Sequence, residues 1–230
     1  MDQLLLSSAD KIDHYRTNCM NSELNKLARE GQRYQVFPSP IVNYLQNIAD
    51  HYDLTKGSRV IVLHPSADSG FPHTRPENLI CMPSTFQLKD AKNTLIHEAC
   101  HLHQRANPDI WKLYCTREGW QPINAVEIPE KWKERIRINP DTISTPYWSW
   151  QDHYVPLPLF SNEHNPSLSE CDIRWFDRRN RVLYNSPPPS FIKRYGTYPS
   201  QPEHPYELSA VEISASGIDT RTELLNILLK

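Results

Sequence analysis

Thirteen of the chain's 20 prolines lie between Gln121 and Pro205, interleaved with Trp148, Trp150, Tyr154, Phe160 and Trp175. Proline has no backbone donor and its ring blocks helix interiors, so this stretch forbids a helical bundle running through the chain. It is also too aromatic for a disordered linker. Residues 121–205 are therefore expected to form an ordered, loop-rich covering layer, and loops of this kind on a rigid scaffold often shape a binding cleft.

The regular elements must come from the flanks. Residues 1–54 carry helical periodicity, at Leu24, Leu27 and Ala28 and again at Ile41, Tyr44, Leu45 and Ile48. The break at Pro38-Ser39-Pro40 divides them into two or three helices. A β-branched apolar run over 59–63 predicts a buried strand, and 78–82 a second strand whose following Pro83 favours an edge position. Asp90 is a candidate N-cap for a helix over 91–105, and Asn107-Pro108-Asp109 starts another that ends near Gly119. Beyond the proline-rich stretch, Pro205 opens a helix that Gly217 closes, and Asp219 caps a last helix reaching Leu229. The expected class is α+β, a single domain over 1–230 with a small mixed sheet, N-terminal helices over 1–54 and the proline-aromatic layer.

A formal net charge of -2 leaves no electrostatic footprint for nucleic acid or an anionic membrane. The leucines of the opening MDQLLLSSADK are too few for a signal-peptide apolar region, and no window approaches the roughly 20 apolar residues of a membrane span. The five cysteines are an odd number without a CxxC pair. Reduced thiols in a cytoplasmic setting are the expectation.

The chemistry concentrates in His97-Glu98-Ala99-Cys100-His101, an HExxH sequence. On a helix it sets two imidazoles one turn apart on one face, able to bind a single Zn²⁺, with Glu98 about 100° around beside them. Ten His and 14 Glu in 230 residues give about 0.03 chance matches per shuffled chain, so context carries the argument. On the helical wheel Thr94, His97 and His101 share one side, while Leu95, Ile96, Ala99 and Leu102 form the apolar stripe. His103 falls toward that stripe as a packed or capping residue, and Cys100 reads as a small residue packing beside the site. Two imidazoles need a third protein ligand, with water in the fourth position.

TLIHEACHLHQ resembles the active-site helix of the zincin metallopeptidases, in their glutamate-zincin branch. HPYELSAVE, residues 204–212, resembles the downstream helix that carries their glutamate ligand. The resemblance covers about 25 residues. It implies a zincin-like fold and a zinc metallopeptidase with His97, His101 and Glu207 as ligands and Glu98 as general base, acting on peptide or protein substrates. Glu212 competes for the third-ligand position but lies about 140° around the helix from Glu207. Tyr198, ahead of Tyr195 and His204, is the first choice for a donor stabilising the oxyanion. If strand 78–82 borders the cleft, its edge would pair with an extended peptide. Two other readings are a zincin-fold binding protein with a structural zinc, and an interaction module whose surface is the Trp148 and Trp150 layer. A di-iron carboxylate bundle is ruled out, because no second ExxH exists.

Overall fold

Four helices precede the first strand in the computed structural model, which describes residues 1–230: α1 (Asp2–Asp13), α2 (Tyr15–Asn21), α3 (Glu23–Leu27) and α4 (Ile41–His51). The periodicity predicts two or three; the additional break falls at His14, whose left-handed backbone at φ 54° ends α1 and opens α2. The fold is α+β, with two separate sheets.

The first sheet holds β1 (Arg59–Leu63), β2 (His73–Arg75) and β3 (Leu79–Pro83) in the order β1-β3-β2. β3 is parallel to β1 and antiparallel to β2. The edge position expected for 78–82 is thereby corrected: β3 is the central strand. Its proline is tolerated because it is the last residue, opposite Leu63, where the ladder ends. The edges are β1 and β2, and β2 is a segment that reads as loop because prolines 72 and 76 flank it. Arg75 on β2 is fully buried and donates to Asp13 and Asp10 at 2.8 Å, which fastens α1 to that strand. Removing Asp13, which accepts two of these bonds, would leave the buried guanidinium short of counter-charge.

Helices α5 (Ala91–Ala106) and α6 (Pro108–Arg117) follow the sheet. Asp90 makes no capping bond; a short 3-10 turn over Leu88–Asp90 feeds the helix instead. Leu95 of α5 packs with Leu45 and Ala49 of α4 and with Val60, Val62, Ile80 and Met82 of the sheet. A turn of α7 (Glu130–Lys133) intervenes before most of the second sheet.

The 121–205 layer is rich in turns and loops, as its prolines predict, but it is not without strands. It contains most of an antiparallel sheet of five strands in chain order, β4 (Trp120–Pro122), β5 (Trp148–Trp150), β6 (Tyr154–Phe160), β7 (Cys171–Asp177) and β8 (Val182–Tyr184). Two prolines sit inside β6, and their spacing explains why. Pro156 and Pro158 are two apart, so both missing donors point to the same side of the strand. That side faces away from β7: there Pro158 C=O accepts from Arg137 N–H and Phe160 N–H donates to Arg135 C=O. The intervening residues carry the ladder to β7.

Trp111, Trp120, Trp148, Trp150, Trp175 and Phe191 form one core between this sheet and α8 (Pro189–Tyr195), α9 (Pro205–Ser216) and α10 (Arg221–Leu229). Trp148 and Trp150 are 1% and 3% exposed and donate inward to Thr145 C=O and Ser190 Oγ. They cannot serve as an interaction surface. The last helix is capped by Thr220 with Glu223, while Asp219 pairs with Lys92 at 2.9 Å. No helix is long and apolar enough to cross a membrane.

Gly119, at the junction of α6 and β4, has φ +98°, and a Cβ there would lie 3.2 Å from the Trp150 ring. Backbone strain and overpacking act together, so Gly119→Ala should destabilise the protein by about 2–4 kcal/mol. Urea denaturation of the two proteins measures it.

Candidate metal centre

The HExxH sequence lies in the middle of α5 as predicted, but the helix is buried on more sides than an apolar stripe requires: Glu98, His101 and Gln104 are inside together with Leu95, Ile96, Ala99 and Cys100. The partner element is α9. Pro205 occupies its first turn, and His204 caps it by accepting from Tyr206 N–H on Nδ1 at 3.1 Å. Glu207 then falls in that first turn, where the helix dipole favours a carboxylate.

Glu207 Oε2 lies 3.4 Å from His97 Nε2 and 3.3 Å from His101 Nε2, and the two Nε2 atoms are 3.0 Å apart. Atoms bound tetrahedrally to one zinc at about 2.0–2.1 Å are separated by about 3.3–3.4 Å. The geometry fits a small divalent cation, and so does the donor chemistry. Gln104 Nε2 donates to Tyr206 C=O, which only accepts, so Gln104 Oε1 must be the acceptor for His101 Nδ1–H at 2.7 Å. That bond selects the tautomer whose lone pair is on Nε2, the atom facing Glu207. The His101 lone pair and the Glu207 carboxylate thus converge on one point beside His97 Nε2, and a proton or a cation held there relieves the crowding. Burial disfavours charging His101, but the Glu207 carboxylate outweighs burial and lifts the imidazole to about 10. Burial likewise works against an ionised Glu207, yet the histidines hold it well below the usual carboxylate range.

Glu98 is 3% exposed, and its Oε2 has no hydrogen-bond partner. Burial first, then the neighbouring Asp141 carboxylate, push its pKa well above the ordinary glutamate value, so it holds a proton more readily. It flanks the three ligands on a cavity of ≈ 580 Å³, into which His97, Glu98 and Glu207 all open. Such a carboxyl group, unpaired and facing a cavity, is suited to taking up and releasing a proton.

Other sequence expectations are redistributed. Glu212 is on the surface and paired with Arg194 at 3.0 Å. Tyr198 is 95% exposed and does not line the cavity, because α8 ends at Gly196 and the chain turns outward. Tyr195 is the hydrogen-bond partner of Trp120 Nε1, and His204 is spent on the cap of α9 and on Thr145 C=O. None of the three is positioned to meet a reacting oxyanion. His103 accepts from Trp111 Nε1 at 2.9 Å, and Cys100 is fully buried, both structural roles.

Three contributors escape sequence reading. Gln104 stands three residues after His101, a spacing a helical wheel displays. Asn139 donates to Glu207 Oε1 at 2.7 Å, and Asp141 accepts from Thr74 N–H at 2.7 Å. Nothing in the sequence connects those two to the motif. The Asp141 contact has a further consequence: the outward N–H of edge strand β2 is already occupied, so an extended peptide cannot pair at Thr74 in this conformation.

His204 is buried neutral, and its pKa is lowered, chiefly by burial, to about 4. An unfolded histidine protonates near 6.5, so between about 6.5 and 4 only the unfolded chain takes the proton. Stability from this group is complete above pH 6.5 and declines as pH falls toward 4, by about 3 kcal/mol in total. His204→Asn, which keeps a capping acceptor, should flatten that part of the thermal midpoint against pH curve relative to the wild type. No family model, curated protein or solved structure matches the chain, so the function is read from the site's own geometry.

Proposed function

We propose that the protein is a zinc-dependent hydrolase of zincin type that cleaves peptide bonds. The observation that carries this reading is the convergence of His97, His101 and Glu207 within 3.4 Å of one another, beside an unpartnered Glu98. The residues that would hold the ion are those three. Once bound, zinc would lower the pKa of a coordinated water to about 7 and polarise the substrate carbonyl.

Glu98 receives the proton of the attacking water on its carboxylate and passes it to the leaving amine. His101 keeps its Nδ1 proton on Gln104, which would leave its Nε2 lone pair free to hold the ion. The cavity of ≈ 580 Å³ has room for a short stretch of peptide and presents polar and apolar surface in about equal measure, with Asn93 and Thr94 on its wall one turn before His97. The occupied β2 edge favours substrates held through side chains and termini over those added as a strand.

The main alternative is a binding protein with a structural zinc. Structural zinc sites are closed by four protein ligands. Here three donors converge, and no fourth ligand-type residue joins them, an arrangement that favours the catalytic reading.

Glu98→Gln should retain stoichiometric zinc while hydrolysis of a fluorogenic peptide library falls by about 10²–10⁴-fold. His97→Ala should lose the metal. Turnover unchanged in the glutamine variant, or zinc fully retained in the alanine variant, would refute the assignment.

A further inference from the structure

The segment 137–141 runs along the cavity wall opposite α5, and all five of its residues line the cavity. Side chains from elsewhere hold it at both ends. Ile138 N–H donates to Asn25 Oδ1 and its C=O accepts from Arg29 Nη2 at 3.0 Å. At the other end Asp141 is fixed to Thr74, and Pro140 C=O accepts from Arg105 at 3.3 Å. Asn139 sits between these anchors.

The orientation of its amide is unambiguous. Glu207 can only accept and the Asp141 backbone N–H can only donate, so Asn139 Nδ2 must face Glu207 Oε1, and Oδ1 must face the N–H at 2.9 Å. Glu207 therefore has each oxygen assigned: Oε2 to the imidazole pair, Oε1 to Asn139. A carboxylate free to rotate could turn both oxygens toward a cation. One held by an amide on the far oxygen can present a single atom.

We propose that Asn139 is a positioning residue for the metal site, holding Glu207 so that it offers one oxygen and leaves a coordination position for water. This rests on the reading of His97, His101 and Glu207 as metal ligands. Asn139 reaches that role through a relay: Thr74 holds Asp141, Asp141 holds Asn139, and Asn139 holds Glu207, so the ligand on α9 is tied to the sheet on the other side of the cavity.

The test measures zinc affinity by competition with a chromophoric chelator, together with the visible spectrum of the Co²⁺-loaded protein. Variants are Asn139→Ala and Asn139→Leu; the second keeps most of the side chain's volume but has no donor for Glu207, so it reports even if the alanine variant fails to fold. Asn93→Ala serves as the control, an exposed cavity amide that makes no hydrogen bond to a ligand. Zinc dissociation constants should rise about 10–100-fold in both Asn139 variants and stay unchanged in the control. The Co²⁺ absorption should weaken as a second carboxylate oxygen joins the ion and raises its coordination number. Unchanged affinity and an unchanged Co²⁺ spectrum in a folded Asn139 variant would overturn the proposal. If instead His97→Ala binds zinc as tightly as the wild type, the metal site itself is wrong, which is a separate result.

Discussion

Two imidazole nitrogens and a carboxylate oxygen, largely removed from water, are held within 3.4 Å of one another. Without a proton or a cation between them their lone pairs would repel, and burial makes that repulsion more costly than it would be at the surface. The surrounding architecture answers to that constraint. Gln104 orients His101 and simultaneously binds the backbone of α9, so one side chain sets a tautomer and joins two helices. The cap at His204 starts α9 where Glu207 will point inward. Glu207 strengthens the hold of His101 on a proton, and a divalent cation would take that place.

The two sheets divide the labour. The small mixed sheet supports α5 through Leu95 and its neighbours and supplies the far wall of the cavity through β2. The tryptophan-rich antiparallel sheet packs beneath α8, α9 and α10 and supplies the rigid platform for the third ligand. Between them the 137–141 segment ties the two halves. Its backbone polar groups are met by the side chains of Asn25 on α3, Arg29 just beyond that helix and Arg105 on α5. An irregular segment packed in this way would otherwise carry an unfavourable number of unpaired donors and acceptors.

The prolines of 121–205 illustrate how composition misleads. A high proline content reads as loop, yet Pro156 and Pro158 occupy a strand because their two-residue spacing keeps the ladder side intact. Pro83 reads as an edge signal, yet it closes a central strand because the ladder stops there. In both cases the deciding quantity is which backbone group faces which neighbour, and a one-dimensional pattern does not contain it.

Local interactions are legible from the amino-acid order. The helix around His97, Glu98 and His101 follows from its periodicity, and the helix opened by Pro205 and ended at Gly217 follows from cap and turn chemistry acting over a few residues. Both imidazoles sharing a face is a consequence of the helical repeat alone, and Gln104 is visible by the same repeat. What only the tertiary structure decided is everything that acts across the chain: that Glu207, rather than Glu212, reaches the imidazoles, that Tyr198 turns out to solvent, and that Asn139 and Asp141 enter the cavity wall. Those placements depend on how α9 packs against α5 and on how a segment with no repeat of its own is anchored by distant side chains. The physical reason is range: a cap or a helical turn is set by neighbours within about four residues, whereas a ligand 106 positions after its partner is placed by the packing of all that lies between.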